Sequence, residues 1–385
     1  MEEQRPAPTR PEPNRQELDP TISAELLKDP RGTEAPPEQP LHKRADDPAI
    51  LATLDGLIRQ VGGTPEGTHG RYVRDLLVNG LKLLPDGRDT GELKLIAAAV
   101  KELRYAYRVF GQYPTQHKVT IFGSARTPRE HPDYVKAVEF SRLMAQRGWM
   151  AITGAGGGIM EAGHEGPGRE QSFGVAIRLP FETTANQVIA GDSKLIVFRY
   201  FFTRKLMFIS QAEAVALFPG GFGTMDEAFE ALTLVQTGKA APLPIVLLQG
   251  DGQTYWDQFL AFVSEGLLSR GWISQDDLSL IKLCRTSQEA ADHIETFYRV
   301  YHSSRYVRDD MVIRLKKRLK ESEVAELNKR FASLIKPGGL PLTQRGPLEV
   351  EDDHLTLPRL IFTHTRYHYG RIRELIDAIN QCQGE

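Results

Sequence analysis

The amino-acid sequence predicts an α/β protein built on a mostly parallel sheet with helices on both faces. Three observations predict it: short apolar runs recur from Lys118 onward, several of them end in glycine-rich turns, and amphipathic segments separate most of them. Runs that are apolar throughout, rather than alternating, belong to strands buried on both sides. Alternation of such strands with helices makes neighbouring strands parallel.

Residues 1–46 come first and differ from the rest. Ten of the 24 prolines fall in the first 50 residues. A segment so rich in Pro, Glu, Arg and Asp buries too little apolar surface to offset its ordering entropy, and is expected to be a disordered tail. Residues 47–116 read as a helical preface: Ile50, Leu51, Leu54, Leu57 and Ile58 recur at helical spacing, and further helices are expected over 72–84 and 91–110. Residues 117–300 carry the main domain. Strands are expected at 119–122, 150–153, 174–179, 195–198, 214–218, 244–248 and 281–284, with helices over 134–147, 202–210, 224–236, 255–267 and 287–298. Residues 301–385 read as a small α+β appendix, with strands near 311–315 and 358–365 and helices over 321–334 and 369–381. No internal repeat is present.

Composition narrows the function. The chain of 385 residues has a formal net charge of −2, so no global basic field invites nucleic acid or an anionic membrane. No run approaches the roughly 18 apolar residues of a membrane span, and the polar N-terminus does not read as a secretory signal. The two cysteines, Cys284 and Cys382, form no CxxC pair. A reduced, cytoplasmic protein is the expectation. No GxxxxGK[ST], HExxH or GxSxG occurs, and the glycine run at 154–158 lacks GxGxxG spacing, so no dinucleotide or other cofactor is expected. His354, His364 and His368 lie near one another in sequence, but metal is not expected. The basic residues of 314–320 and 359–373 read as a solvated face, with an anion site as the alternative.

The sharpest motif is Pro219-Gly220-Gly221-Phe222-Gly223-Thr224-Met225-Asp226-Glu227, which follows a strand and opens a helix. Glycines let backbone N–H groups approach an anion, the helix N-terminus favours negative charge, and Thr224 adds a hydroxyl. The plainer alternative is a tight strand–helix turn with a capping Thr and a dipole-compatible Glu.

This run resembles the PGGxGTxxE signature of the LOG ("lonely guy") family, cytokinin-riboside 5′-monophosphate phosphoribohydrolases and their bacterial relatives. Other elements resemble the family in the same order: the strand ending Phe122-Gly123-Ser124-Ala125-Arg126, the run Gly154 to Gly158 followed by Ile159-Met160-Glu161-Ala162, the third strand with its Leu179-Pro180-Phe181 ending, and Arg204-Lys205 upstream of the signature. The resemblance covers residues 118–300 and implies a Rossmann-like domain that hydrolyses the N-glycosidic bond of a nucleoside 5′-monophosphate, with adenine the default base. It implies Arg204 and Glu227 as catalytic groups. It further implies Gly220, Gly221, Gly223 and Thr224 around the phosphate with Ser124 as helper, Lys205 and Thr233 as further ligand contacts, and Met160 and Gly157 near the base. A homodimer or higher even oligomer is implied, because family members complete each site from two subunits. The sequence departs from the smaller plant-type members in its second glycine run (GAGGGIMEAGHEG), in Phe201-Phe202-Thr203 before Arg204, in the preface and in the residues after 300. The alternative is a nucleotide- or cofactor-binding sensor or carrier without turnover; a DNA-processing role fits the net charge poorly.

Overall fold

The computed structural model describes residues 45–179, 185–348 and 353–384. The tail through residue 44, and Pro180 and Phe181 of the third-strand ending, lie outside them. The chain divides into two compact units, Met1–Ala97 and Ala98–Glu385.

In the first unit, α1 (Pro48–Gln60) starts where Asp47 accepts the Ala49 amide at 2.8 Å and Pro48 supplies a preset φ at the first helical position. It meets α2 (Thr68–Lys82), where the Arg74 guanidinium donates to both Asp55 oxygens at 3.1 Å. Helix α3 (Thr90–Phe110) starts in this unit and ends in the second.

The second unit holds a seven-stranded sheet of β1 (Lys118–Phe122), β2 (Met150–Thr153), β3 (Ser172–Ile177), β4 (Leu195–Phe198), β5 (Ala214–Leu217), β6 (Ile245–Leu247) and β7 (Ile281–Leu283). Their spatial order is β4-β3-β2-β1-β5-β6-β7, and every pairing is parallel. The fold is α/β and Rossmann-like, as the apolar runs predict. Chain order reverses between β1 and β5, and in sheets of this kind the crevice at such a reversal, beyond the carboxyl ends of the strands, is where ligands bind.

The strands have two buried faces. Val119 and Ile121 of β1 point into one core, where α4 (Pro132–Gln146) and α5 (Ile159–Glu165) bring Phe140, Met144 and Ile159. Phe122 points into the other, with α6 (Phe201–Ser210), α7 (Phe222–Gln236) and α8 (Tyr255–Ala261) supplying Phe208, Ala228 and Trp256. Thr120 is fully buried on this second side, and its hydroxyl donates to the Phe208 carbonyl at 2.7 Å. Edge strand β4 differs: Ile196 and Phe198 are buried but Val197 is 53% exposed.

The residues after 300 form an antiparallel sheet ordered β10-β11-β9-β8, from β8 (Tyr301–Val307), β9 (Asp310–Leu315), β10 (Thr343–Arg345) and β11 (Arg359–Thr363), with α10 (Glu321–Arg330) and α11 (Tyr369–Gln381). Strands β8 and β10 were not expected from the sequence. The inner side chains of this sheet, including Ile313, Leu360 and Phe362, share one continuous core with Phe140, Phe218 and Phe297 of the parallel-sheet side. Buried Asn380 of α11 fastens the junction: its Oδ1 accepts the Val300 and Tyr301 amides at 2.8 and 3.0 Å. The boundaries at 47, 117 and 301 remain a division we propose on sequence grounds.

The basic runs of this region correct one expectation, because three of their arginines are buried and bound rather than solvated. Arg314 donates to Asp353 at 2.6 Å, Arg359 to the carbonyls of Asp353, His354 and Leu357, and Arg373 to Asp377 at 3.2 Å. A buried guanidinium is tolerated only with such partners.

Because the two sheets share a core, truncating either side costs the whole. Phe362→Ala is expected to destabilise the protein by about 3–5 kcal/mol. Denaturant unfolding followed by Trp149 and Trp256 fluorescence, on the parallel-sheet side, should shift with it. An unchanged midpoint for that signal would show that the second sheet unfolds independently.

Candidate functional site

At the β1/β5 reversal the two strand-end turns are stitched together. The Ser124 amide donates to the Pro219 carbonyl at 3.0 Å, and the Ser124 carbonyl accepts the Ile159 amide at 3.0 Å. The Tyr255 hydroxyl donates to the Gly220 carbonyl at 2.7 Å. A Cβ at Gly220 would collide with the Thr224 side chain and lie 2.9 Å from the Ser124 nitrogen, so glycine is what lets the turns approach.

Helix α7 begins here, capped by the extended backbone of Gly221 with no side-chain cap. It starts at Phe222, two residues earlier than the sequence suggests. The first-turn amides therefore include Phe222 as well as Gly223 and Thr224, and helix geometry leaves these without intrahelical partners. The Phe222 side chain is 97% exposed and closes nothing over them. The Ser124 hydroxyl accepts the Arg126 amide at 3.1 Å, which leaves its own proton to donate.

These turns line a cleft of about 470 Å³. Of the residues expected from the sequence, Ser124, Met160, Arg204, Gly221, Gly223, Thr224 and Glu227 line it together. Gly220 lies beneath it as the close-approach residue. Gly157 sits in the neighbouring turn, where a Cβ would be 3.4 Å from the Ala125 carbonyl. Lys205 stands behind the cleft, engaged by acids of α7. Thr233 does not reach the cleft: it is exposed nine residues after Thr224, on the helical stripe that carries Asp226 and Glu230. The sequence reading missed Arg126, Phe201 and Asp226, which also line the cleft. Asp226 lies inside the signature and Arg126 directly after the first turn, so both were within reach of the motif.

Glu227 is the electrostatic centre. It is only 8% exposed, and its Oε2 has no hydrogen-bond partner among the described residues. Lys205 Nζ lies 3.8 Å from that oxygen but closer to Glu230 (2.6 Å) and Asp226 (2.9 Å). Burial pushes the Glu227 carboxyl up to about 7, against the pull of the Lys205 and Arg204 charges. Burial also works to lower Lys205, but the Glu230 and Asp226 carboxylates prevail and hold its ammonium above its ordinary value.

Arg204, one turn into α6, is set by its surroundings. Its Nε donates to the Val175 carbonyl at 3.0 Å, and its guanidinium lies 5.0 Å from the centre of the Phe208 ring. A Cβ at Gly154 would come within 2.5 Å of Arg204 Nη2 and 2.6 Å of Met160 Sδ. Glycine at the end of β2 thus leaves the space in which the Arg204 guanidinium and the Met160 sulfur approach it. Arg204, Met160, Gly154 and Phe201 also border a second compartment of about 920 Å³ over the ends of β3 and β4.

The histidines considered for metal have separate roles. His364 pairs with the Tyr306 hydroxyl at 2.5 Å, His354 packs on His302, and His368 lies 3.5 Å from Asp276. Among the described residues no three His, Cys, Asp or Glu side chains converge on a metal site, and no helix is long and apolar enough to cross a membrane.

The raised Glu227 carboxyl makes stability depend on pH. The folded protein holds a proton between about 4.5 and 7 that the unfolded chain releases, so this group destabilises the fold as pH rises through that window. Glu227→Gln is expected to stabilise the protein at pH 8 by on the order of 3 kcal/mol, with the gain vanishing near pH 4. Denaturant midpoints at the two pH values check this; an equal difference at both would contradict the assignment.

The comparisons with known proteins agree with the signature. A family model described as "Possible lysine decarboxylase" matches residues 153–294. The cytokinin riboside 5′-monophosphate phosphoribohydrolase LOG of Oryza sativa subsp. japonica is 30% identical over 172 residues, covering 43% of this chain and 67% of that protein. A second rice relative, a probable cytokinin riboside 5′-monophosphate phosphoribohydrolase, is 34% identical over 99 residues, 26% of this chain and 44% of its own length. Among solved structures, the molybdenum cofactor carrier protein of Chlamydomonas reinhardtii aligns with a TM-score of 0.32 at 18% identity, over 47% of this chain and 96% of that one. The molybdenum cofactor binding protein of Rippkaea orientalis aligns at 0.35 and 19%, over 48% and 98%. With the rice enzyme matched over two thirds of its length and the signature seated at the strand reversal, this chain belongs to the LOG family.

Proposed function

We propose that this protein hydrolyses the N-glycosidic bond of purine nucleoside 5′-monophosphates, giving free base and ribose 5-phosphate. One observation carries the reading: a buried carboxylate, Glu227, stands beside a helix N-terminus suited to phosphate and within the field of an arginine. The curated relatives are named as phosphoribohydrolases, which supports it.

The phosphate binds at the start of α7, on the amides of Phe222, Gly223 and Thr224, with Gly220 and Gly221 shaping the turn and Ser124 donating its hydroxyl. That anchor orients the ribose over Glu227, and binding energy at the phosphate is spent on positioning C1′. As the C1′–N bond breaks, its electron pair leaves with the base and positive charge develops on the ribose, as in glycoside hydrolysis. The Glu227 carboxylate faces that charge and accepts a proton from the water that adds to C1′. The departing base nitrogen takes up a proton from solvent and Glu227 returns the water's proton to solvent, so one water is consumed per bond broken. Arg204 holds the leaving-group side, Lys205 fixes the acids of α7, and Met160 and Gly157 pack toward the base. We place the reaction in a reducing, cytoplasmic setting, since Cys284 and Cys382 are both free thiols and Cys284 is buried.

A homodimer completes this reading. Phe201, Phe202 and Leu206 of α6 are 54, 52 and 45% exposed, and Phe229 of α7 is 39% exposed. Pairing two copies through these helices covers that surface and brings Thr233 toward the partner's cleft.

Purified protein incubated with AMP, GMP, IMP, CMP and UMP is expected to release base and ribose 5-phosphate from the purine nucleotides. Glu227→Gln should lower turnover about 10²–10⁴-fold and Arg204→Ala about 10²-fold. Because the carboxylate form acts, kcat/KM should rise with pH and level off above about 7. Retained turnover in folded Glu227→Gln would refute the mechanism. Nucleotide binding without release of base from any substrate would replace the enzyme by a sensor or carrier. Sedimentation should find a dimer or higher even oligomer that Leu206→Glu dissociates; a monomer at micromolar concentration would reject the pairing.

A further inference from the structure

The second compartment, on the far side of Arg204 from the phosphate turn, has a composition unlike the first. In the parallel pairing of β3 and β4, Ala176 stands opposite Val197, and Leu195 lies two residues before Val197 on the same face. These three make its apolar floor. Arg178 and Arg199 directly follow the last paired residues, Ile177 and Phe198. Both line the compartment. Ladder bonding continues to this level, with the Arg178 amide donating to the Phe198 carbonyl at 2.8 Å. Neighbouring strands run about 4.8 Å apart, so the two arginines leave the sheet from adjacent strand ends and line one compartment.

The nearby carboxylate, Glu102, is taken up by the Arg199 backbone amide at 2.8 Å and the Thr203 hydroxyl at 2.6 Å, not by either guanidinium. Both arginines are exposed, and neither guanidinium has a hydrogen bond or ion pair among the described residues; Arg199 lies 5.5 Å from the centre of the Tyr200 ring. Among the described residues that line the compartment there are three arginines, counting Arg204, and no carboxylate. The acids of the site, Asp226 and Glu227, line the first cleft instead. Like charges gathered in one compartment repel, and a ligand rich in acceptors relieves that cost.

We propose that this compartment is where the base binds, and that Arg178 and Arg199 select a 6-oxopurine over a 6-aminopurine. This rests on the nucleotide reading above, which puts the ribose at Glu227 and so directs the base past Arg204. A guanidinium only donates hydrogen bonds. Its fork matches the paired O6 and N7 acceptors of guanine and hypoxanthine. Adenine offers N7 but turns its 6-amino donors toward the same guanidinium groups. The flat base lies on Val197 and Leu195, with Met160 at its inner edge. The expected discrimination is about tenfold to a hundredfold.

The test is calorimetric titration of IMP, GMP and AMP into full-length Glu227→Gln protein, where turnover does not interfere, with and without Arg178→Ala and Arg199→Ala. Both arginines are exposed, so their removal leaves the fold intact. The same comparison as kcat/KM in the otherwise wild-type protein covers the case in which Glu227→Gln does not fold. IMP and GMP are expected to bind at least tenfold more tightly than AMP, and the double arginine variant to lose that advantage while AMP affinity holds. Equal affinities, or an advantage that survives both substitutions, overturn the proposal and leave the hydrolase reading standing if base is released. A 6-oxopurine advantage that depends on the arginines, without release of base, upholds this subsite and overturns the hydrolase reading.

Discussion

The desolvation of Glu227 is the constraint around which the cleft is organised. A carboxyl removed from water is pushed toward its neutral form, and here one ammonium, Lys205, serves three carboxylates and lies farthest from Glu227. The compensation is deliberately incomplete in a physical sense: it keeps the group ionisable near neutrality without locking it as a carboxylate. A salt bridge as short as that to Glu230 would have held Glu227 fully charged and poorly suited to exchange a proton. The cost falls on folding stability, and the large cores on both sides of the sheet bear it.

Those cores place the carboxylate as well as support it. Glu227 rides on α7, whose start is dictated by the turn after β5, and that turn is tied to the end of β1 through Ser124 and Pro219. Thr120 ties the same strand to α6, the helix that presents Arg204 and Lys205. The three charged groups are thus referenced to one pair of central strands. Displacing any of them means disturbing β1 or β5, the most enclosed part of the sheet. The second sheet contributes through the shared core beneath α4 and α9 (Ser287–Phe297), and does not supply a cleft-lining residue among those described.

The strands of the parallel sheet were legible because each is a short run of apolar residues closed by a turn residue, a pattern that burial on both faces imposes. Strands β8 and β10 were not. Tyr301-His302-Ser303-Ser304-Arg305-Tyr306-Val307 has neither an apolar run nor clean alternation, and its strand character comes from pairing with β9. Strand β10 has three residues inside a stretch whose Gly and Pro content reads as loop. In the site, the glycine turn and the placement of its glutamate at the cleft were legible because the motif joins backbone geometry to chemistry. The burial of Arg314, Arg359 and Arg373 was not, since a basic run looks the same in sequence whether solvent or the protein's own carboxylates and carbonyls receive it. The second compartment was hidden for another reason: Arg178 and Arg199 are 21 residues apart and reach one compartment only because β3 pairs with β4.

That pairing gives the site a direction. Carboxylates gather on α7, guanidinium groups on the β3–β4 side, and Arg204 stands at the border of the two compartments. Cleaving an N-glycosidic bond separates charge in the same sense, leaving the ribose positive and the base negative as the bond lengthens. Fixed charges already arranged along that axis need no reorganisation when the transition state forms. On the proposed reading, base selection and catalysis then draw on one field. A base that offers acceptors to Arg178 and Arg199 is held most firmly as negative charge grows on it. The groups that choose the substrate thereby also favour its departure, while Glu227, on the opposite side, receives the ribose.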